Sequence, residues 1–148
     1  MDVLIVEDRG SVALLMVEHL KKRGYSVYAA YSTLEAEDIL NNPDEEVGCL
    51  VVDLNMPANQ LTADQRKRTA GAVLTGWVWL KERVLNSKPP EFLQRVIIHS
   101  EYMERLESTV PRTEWEGIRR VPRRGSTLQV EKLLQEVAKI VGPREVAK

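Results

Sequence analysis

The chain has 148 residues, of which 43% are apolar and 29% are charged, and its formal net charge is −1. This length is typical of one domain, and the composition is typical of a folded globular protein rather than a disordered one. A net charge near zero creates no global field that would favour nucleic acid as a partner. No apolar run approaches the length of a membrane span and no basic leader precedes the first one, so we expect a cytoplasmic protein with no membrane partner.

Apolar runs rich in β-branched residues alternate with segments of helical periodicity along the chain. These runs predict four strands, at residues 3–6, 25–30, 49–52 and 96–99. Residues 117–121 predict a fifth strand, and its two arginines, Arg119 and Arg120, suit an edge position. Cys49 lies inside the third run, so we expect a reduced core residue. Strands that alternate with helices predict a parallel five-stranded sheet with helices on both faces.

The helical segments show apolar stripes and end signals. The first stripe comprises Val12, Leu15, Met16, His19 and Leu20, before Gly24. The second segment has a capping pair, Ser32 and Glu35, ahead of Leu34, Ile39 and Leu40. The third stripe comprises Trp77, Leu80 and Val84, and residues 101–107 predict a short helix. The last helix is predicted to begin at a cap formed by Ser126 and Gln129 and to end at Gly142, with a stripe of Val130, Leu133, Leu134, Val137 and Val141.

Acidic residues follow two of the predicted strands. Glu7 and Asp8 come directly after the first strand, and Asp53 comes directly after the third. Because the carboxyl ends of parallel strands meet at one edge of a sheet, we expect the three carboxylates to lie close together, where such sheets bind ligands. Close carboxylates repel one another unless a proton or a cation relieves them, and Mg²⁺ prefers oxygen ligands. The sequence therefore predicts a Mg²⁺ site beside a nucleophilic aspartate.

With these acids, Pro57 lies four residues beyond Asp53, and the hydroxyl residue Ser100 follows the fourth strand. In this order and spacing the chain resembles a response-regulator receiver domain of two-component signalling, a CheY-like module, over nearly its whole length. The resemblance implies a flavodoxin-like fold, a doubly wound parallel sheet of five strands. Because the sequence ends soon after the fifth predicted helix, we expect an atypical stand-alone member.

The resemblance also implies roles for individual residues. Asp53 would accept a phosphoryl group from a histidine kinase or phosphotransfer protein. Glu7, Asp8, Asp53 and the backbone carbonyl of Asn55 would hold Mg²⁺, one of the acids through water. Ser100 would be the switch hydroxyl that hydrogen-bonds the phosphoryl group. The loaded domain would then change its affinity for a separate effector protein, and it would catalyse only its own phosphoryl uptake and loss. Homodimerisation is left open.

The chain departs from the receiver pattern at the cation that normally pairs with the phosphoryl group. Receivers carry a lysine before a proline after the fifth strand. An alignment on Pro122 puts Val121 at that position, whereas an alignment on the Ser126 cap favours Arg123. The candidates for the phosphate-binding cation are therefore Arg123, Arg120 and Arg124. Arginine binds phosphate in a bidentate manner but is not a neutral replacement for lysine.

Three further departures concern access, output and loop length. Glu101 follows the switch hydroxyl, where receivers have a small residue, and we expect it to slow anionic phosphodonors or to alter dephosphorylation. The aromatic residue that rotates with the switch is missing from the fifth strand. An insertion at about 58–75 separates Pro57 from Gly76. Its length favours a functional or disordered segment: an extension of the third helix from Val73, a lid, or a docking surface.

Two functions remain open at this point. The first is a phosphorylatable switch, which the retained acids and Ser100 favour. The second is a pseudo-receiver, a phosphorylation-independent interaction module, which the missing lysine, Glu101 and the missing aromatic favour. His99 is expected to be a satisfied strand histidine. A cluster of arginines is either a solvated face or a surface for an acidic partner: Arg112, Arg119, Arg120, Arg123 and Arg124.

Overall fold

Five parallel strands form one sheet in the order β2-β1-β3-β4-β5. The computed structural model describes residues 1–124 and 127–144. The strands are β1 (Val3–Val6), β2 (Val27–Ala30), β3 (Cys49–Val52), β4 (Val96–Ser100) and β5 (Arg119–Pro122). Every residue of β1, β3 and β4 is buried, as expected of strands covered on both faces. The predicted parallel sheet, flavodoxin-like fold class and edge position of the fifth strand are confirmed.

Helices connect the strands. They are α1 (Gly10–Lys22), α2 (Thr33–Asn41), α3 (Ala63–Arg66), α4 (Thr75–Trp79), α5 (Met103–Thr109), α6 (Arg112–Trp115) and α7 (Val130–Val141). The chain continues from α4 as a π-helical turn, Leu80–Val84, and 3₁₀ turns at Leu85–Ser87 and Pro90–Arg95. None of the helices within the described ranges is long and apolar enough to cross a membrane.

Alternating strand residues divide the core into two layers. Leu4, Leu50 and Ile98 point into the layer that also contains Trp77 and Leu80. Val3, Val51 and Ile97 point into the layer that contains buried residues of α1 and α7. The same alternation continues past the strand ends, so Glu7 and Asp53 follow the parity of the second layer. The sheet therefore determines which polar residues meet at its carboxyl edge.

Several sequence-predicted details are wrong. Leu15 is 44% exposed and Leu34 is 53% exposed, because the small residues Ala13 and Ala36 occupy the core-facing positions instead. The second strand begins two residues later than predicted, since the amide of Tyr25 still bonds to Leu20 of α1 at 3.2 Å. The short helix predicted at 101–107 forms at α5, and β5 lies two residues later at its start than predicted.

Other expectations agree with the structure. The Ser32 side chain accepts a hydrogen bond from the Glu35 amide and caps α2, and Cys49 is buried as a free thiol. Burial raises the pKa of this thiol to about 12, so it stays protonated. Trp77, Leu80 and Val84 are all buried. The predicted Ser126 cap lies outside the described residues, and α7 begins at Val130 after Gln129.

The insertion at 58–75 has its own structure rather than extending the third helix. It contains α3, whose first turn is closed by a reciprocal capping box between Thr62 and Gln65. Leu61 and Leu74 are buried in the core at either end of the segment, and α4 begins only at Thr75. The predicted extension of the third helix from Val73 is therefore wrong. The segment instead packs on the domain as a short helix between two buried residues, Leu61 and Leu74.

Candidate functional site

Three carboxylates converge at the carboxyl edge of the sheet. The amide of Glu7 donates to Ala30 at 3.1 Å, and the amide of Asp53 donates to Val6 at 3.0 Å, so both residues continue the strand ladders. One carboxylate oxygen from each of Glu7, Asp8 and Asp53 lies within 4.8 Å of the others. Glu7 is fully buried and Asp53 is 3% exposed, whereas Asp8 is exposed. Asp8 is therefore the member of the cluster that solvent reaches most readily.

Arg123 inserts a cation between two of these acids. Its Nη2 donates to Glu7 Oε1 at 2.9 Å and to Asp53 Oδ2 at 3.0 Å, and its side chain is completely buried. The amide of Arg123 bonds to the carbonyl of Ser100 at 3.0 Å, which continues the β4–β5 ladder one residue beyond Pro122. This register places Arg123, among the three candidate arginines, at the acid cluster.

The other two candidate cations lie elsewhere. Arg120 stacks on Trp115, with its Cζ 4.2 Å from the ring centroid, and donates to Glu107 at 3.2 Å. Arg124 is exposed, and its backbone forms an isolated antiparallel β-bridge with Thr127. Adjacent residues of a strand point to opposite faces, so Arg120 and Arg123, three positions apart, cannot share a face. The alignment on Pro122 is also excluded, because Val121 packs in the core.

In the acid cluster, one guanidinium faces two buried carboxylates. Burial, together with the neighbouring Asp53 carboxylate, raises the pKa of Glu7 to about 8, and the nearby Arg123 only partly offsets this. Partial burial likewise raises the pKa of Asp8. Glu7 Oε2 is buried with no hydrogen-bond partner in the described part of the chain. At neutral pH we therefore expect Glu7 to be largely protonated, which leaves one net charge for Arg123 to neutralise.

Gly76 makes a close backbone contact with the phosphoacceptor candidate. Its amide donates to the Leu54 carbonyl at 2.8 Å. A Cβ at this position would lie 1.9 Å from the backbone oxygen of Asp53, so any larger residue would displace the loop. Thr75 and Trp77, which flank the glycine at the start of α4, are buried. The absence of a side chain at Gly76 lets α4 lie directly against the Asp53 backbone.

Solved structures with this arrangement of strands and helices identify the fold. No protein-family model and no curated protein matches the chain. A response-regulator receiver domain protein from Clostridium thermocellum superposes with a TM-score of 0.63 at 16% identity, over 94% of this chain and 92% of the other. A sensor protein from Polaromonas sp. JS666 gives 0.66 at 16% identity, over 94% of each chain. The response regulator TrrA from Thermotoga maritima, solved with Mg²⁺ and BeF, gives 0.57 at 19% identity, over 93% and 96%. The chain has a receiver-domain fold.

Within the receiver fold, Ser100 and Glu101 have clear environments. Ser100 is the last residue of β4 rather than a loop residue, is fully buried, and its Oγ accepts from the Tyr102 amide at 3.1 Å. Glu101 accepts from Arg9 Nη2 at 3.2 Å, and Arg9 Nε lies 3.6 Å from Glu7 Oε1. Sequence reasoning missed Arg9, although it directly follows the acidic pair. Its guanidinium offsets part of the negative charge that Glu101 brings to the acid cluster.

His99 differs from the satisfied strand histidine that the sequence predicts. It is 1% exposed, and neither ring nitrogen has a hydrogen-bond partner within residues 1–124 and 127–144. Burial, with the positive charge of Arg123, lowers the pKa of His99 to about 4, so the ring is neutral. It pairs with Val121 across the β4–β5 ladder. Nothing in the sequence marks His99 as a buried histidine beyond its place in an apolar strand.

The acid cluster fits a divalent cation by the chemistry of its donors. Glu7, Asp8 and Asp53 offer hard oxygen ligands, as Mg²⁺ requires, and the unpartnered Oε2 of Glu7 is a free acceptor beside them. Asn55, whose backbone carbonyl is the remaining predicted ligand, is half-buried two residues beyond Asp53. A cation there would compete with the guanidinium of Arg123 and with the proton on Glu7 for the same carboxylates.

Proposed function

We propose that the chain is a phosphoacceptor switch of a two-component phosphorelay, loaded on Asp53. The observation that supports this most directly is the environment of that carboxylate. Asp53 lies at the carboxyl end of the central strand β3, within 4.8 Å of two further acids, and its Oδ2 is 3.0 Å from Arg123. A carboxylate flanked by a cation and by metal-ligating oxygens can act as a nucleophile toward an anionic phosphoryl group.

The donor in this proposal is a phosphohistidine of a histidine kinase or phosphotransfer protein. A carboxylate oxygen of Asp53 attacks phosphorus, the new P–O bond replaces the P–N bond, and the imidazole leaves with a proton. Arg123 Nε and Nη1 are buried without partners in the described residues, so two donor nitrogens, with three N–H groups between them, have no protein acceptor to give up when phosphoryl oxygens arrive. Hydrolysis of the acyl phosphate by water returns the carboxylate and inorganic phosphate. The chain thus catalyses only its own phosphoryl uptake and loss.

Mg²⁺ would be held by Glu7, Asp8, Asp53 and the carbonyl of Asn55. When bound, it supplies positive charge against the phosphoryl oxygens. Ser100 is the proposed hydroxyl donor to the loaded group, since it ends the strand next to β3 and shares the sheet edge with Asp53. A change at Ser100 would pass to the Tyr102 amide that now bonds to its Oγ, and from there to α5 and a separate effector protein.

A specific feature supports the alternative, a pseudo-receiver that binds partners without phosphorylation. Arg123 already bridges Glu7 and Asp53, and Asp53 is 3% exposed. A cation fixed by two hydrogen bonds holds both carboxylates in the resting state, so neither metal nor phosphodonor enters without displacing it. Weak or absent Mg²⁺ binding would be the expected property of this alternative.

The two functions are separated by a titration with Mg²⁺ followed by beryllium fluoride, which mimics a phosphoryl group on a carboxylate. For the switch we expect a new ¹⁹F resonance of protein-bound fluoride that requires Mg²⁺ and is absent from Asp53→Asn. In the same samples, amide shifts near Ser100 and α5 should move together with that resonance. If the native chain gives no bound resonance at saturating Mg²⁺, the pseudo-receiver becomes the better account.

A further inference from the structure

An ion pair crosses the carboxyl edge of the sheet at the end of β3. In the order β2-β1-β3-β4-β5, strand β3 lies between β1 and β4. Arg9 follows the acidic pair at the end of β1, and Glu101 directly follows β4. Arg9 Nη2 donates to Glu101 Oε1 at 3.2 Å. The two side chains therefore meet across the end of the strand between them, where Asp53 lies, and we refer to this pair as the strap.

The strap also contacts the acid cluster. Arg9 Nε lies 3.6 Å from Glu7 Oε1, the oxygen that accepts from Arg123 Nη2 at 2.9 Å. The side chains of Arg9 and Glu101 are 39% and 25% exposed, whereas Glu7 and Asp53 are buried. The strap is thus a partly exposed layer, and the buried carboxylates lie inside it.

An ion pair of this kind stays closed only by a modest margin. Solvent competes for both charges and two long side chains lose freedom, so such pairs favour the closed state by about one- to fivefold. The strap is less exposed than the pair between Arg23 and Glu131, whose side chains are 52% and 77% exposed, which places it toward the upper end of that range. A strap that is closed most of the time slows, without preventing, any reagent that must reach Asp53.

We propose that Arg9 and Glu101 determine which phosphodonors reach Asp53, by closing over it as a strap. The proposal rests on the proposed function only in taking Asp53 as the group that a donor must reach. Because the pair has no net charge, it hinders neutral and anionic small molecules alike by blocking their approach. A protein donor that offers counter-charges to the separated guanidinium and carboxylate compensates for opening the strap, whereas a small free donor does not.

The test measures access chemically, with a thiol at the phosphoacceptor position. The rate at which methyl methanethiosulfonate, a small neutral reagent, modifies Asp53→Cys is followed by intact mass, at pH values where the new thiol is fully ionised. Cys49 is buried, and burial raises its pKa to about 12, so it should not react. This measurement requires no phosphoryl transfer and no Mg²⁺.

Breaking the strap from either side should increase access. We expect Arg9→Gln and Glu101→Gln, each added to Asp53→Cys, to raise the rate with the neutral reagent about fivefold. Salt should produce part of the same increase in the parent protein, because it screens a partly exposed pair. The matched control is Glu131→Gln, which breaks the exposed pair with Arg23 and should leave the rate unchanged.

Two further measurements separate the strap from simple charge repulsion. With the anionic reagent sulfonatoethyl methanethiosulfonate, Glu101→Gln should accelerate modification more than Arg9→Gln does, because Arg9→Gln leaves an unpaired carboxylate at the opening. The Leu54 amide donates to Asp53 Oδ1 at 2.7 Å and reports access while Asp53 is intact. Its hydrogen exchange should be faster in both strap variants than in the native chain.

The proposal is wrong if neither variant changes the neutral rate or the Leu54 exchange. It is also wrong if only Glu101→Gln has an effect and only with the anionic reagent, since Glu101 would then act through its charge alone. If both variants increase access but the chain takes no phosphoryl group from acetyl phosphate, the strap is supported and the phosphoacceptor proposal fails.

Discussion

At the scale of single residues, the site is controlled by Arg123. One buried guanidinium donates from the same nitrogen to Glu7 and Asp53, and its side chain has no exposure. Removing one member of a buried ion pair leaves the remaining charges desolvated and uncompensated, which typically costs 3–5 kcal/mol. A metal ion that binds these acids must therefore replace the positive charge and the two hydrogen bonds of Arg123.

Replacement of Arg123 is therefore expected to make folding depend on metal. In EDTA, Arg123→Gln should lower the free energy of unfolding by about 3 kcal/mol, measured by urea denaturation. Addition of Mg²⁺ should restore most of this loss, because the metal takes over the neutralisation of Asp53 and displaces the proton from Glu7. The variant should also bind Mg²⁺ more tightly than the native chain in calorimetry. Arg124→Gln is the control, since the exposed neighbour should change neither quantity; equal effects of the two variants would contradict this account.

The proton on Glu7 gives a pH dependence of stability. Burial and Asp53 raise the pKa of Glu7 from its ordinary 4.5 to about 8, so the folded chain binds a proton that the unfolded chain has released. The free energy of unfolding must then fall as pH rises from 4.5 to 8. His99 acts in the opposite direction, because burial lowers its pKa from 6.5 to about 4 and stability is lost as pH falls through that range. The Glu7 contribution therefore dominates from about pH 7 to 8, where the unfolded histidine is mostly neutral as well.

In that window we expect the metal-free chain to lose about 1 kcal/mol of unfolding free energy for each pH unit. Urea denaturation in EDTA at several pH values measures this slope. Glu7→Gln has no titrating group at the position and should give a flat profile. A native profile as flat as that of the variant would show that Glu7 is ionised in the folded state.

At the scale of elements, the site is formed by where strands end and where α4 begins. The carboxyl ends of β1 and β3 supply the acids, the end of β4 supplies Ser100, and the residue after β5 supplies Arg123. α4 then approaches so closely that the Gly76 amide bonds to the Leu54 carbonyl at 2.8 Å. The insertion thus ends directly before Gly76, the residue that lies against the Asp53 backbone.

Gly76→Ala should be strongly destabilising. A Cβ would lie 1.9 Å from the Asp53 oxygen, and because that neighbour is backbone, the loop or α4 must shift. We expect the free energy of unfolding to fall by about 3 kcal/mol, measured by urea denaturation. Gly10→Ala is the matched control at the start of α1, where the added carbon would meet Tyr31 at an ordinary 3.9 Å. Equal stability of the two variants would show that α4 is not fixed against Asp53.

Element by element, the sequence predicts strands better than it predicts which helix positions face the core. Buried strands are continuous apolar runs, so their existence and the acids at their ends are visible directly. Helical periodicity leaves neighbouring positions nearly equivalent, and Leu15 and Leu34 are exposed while Ala13 and Ala36 face the sheet. The choice among Arg120, Arg123 and Arg124 depended on the register of β5. A shift of one residue moves every side chain of the strand to the opposite face of the sheet.

At the scale of the whole molecule, the insertion leads directly into α4, the helix whose start lies against the backbone of the proposed phosphoacceptor. The acids lie on the central strands, and Arg123 comes from the residue after edge strand β5. Leu74, at the end of the insertion, is buried two residues before the glycine that lies against the Asp53 backbone. The insertion was visible in the sequence as extra length, but its fold depended on tertiary anchors, Leu61 and Leu74, that no local pattern marks.

The central claim is that Asp53 accepts a phosphoryl group, and the most direct measurement is the intact mass of the chain after incubation with Mg²⁺ and acetyl phosphate. We expect the native chain to gain the mass of one phosphoryl group and the Asp53→Asn variant to gain none, with the increment lost when Mg²⁺ is removed by EDTA. No increment in the native chain, under conditions where Mg²⁺ binding is measured directly, or an equal increment in Asp53→Asn, would contradict the account.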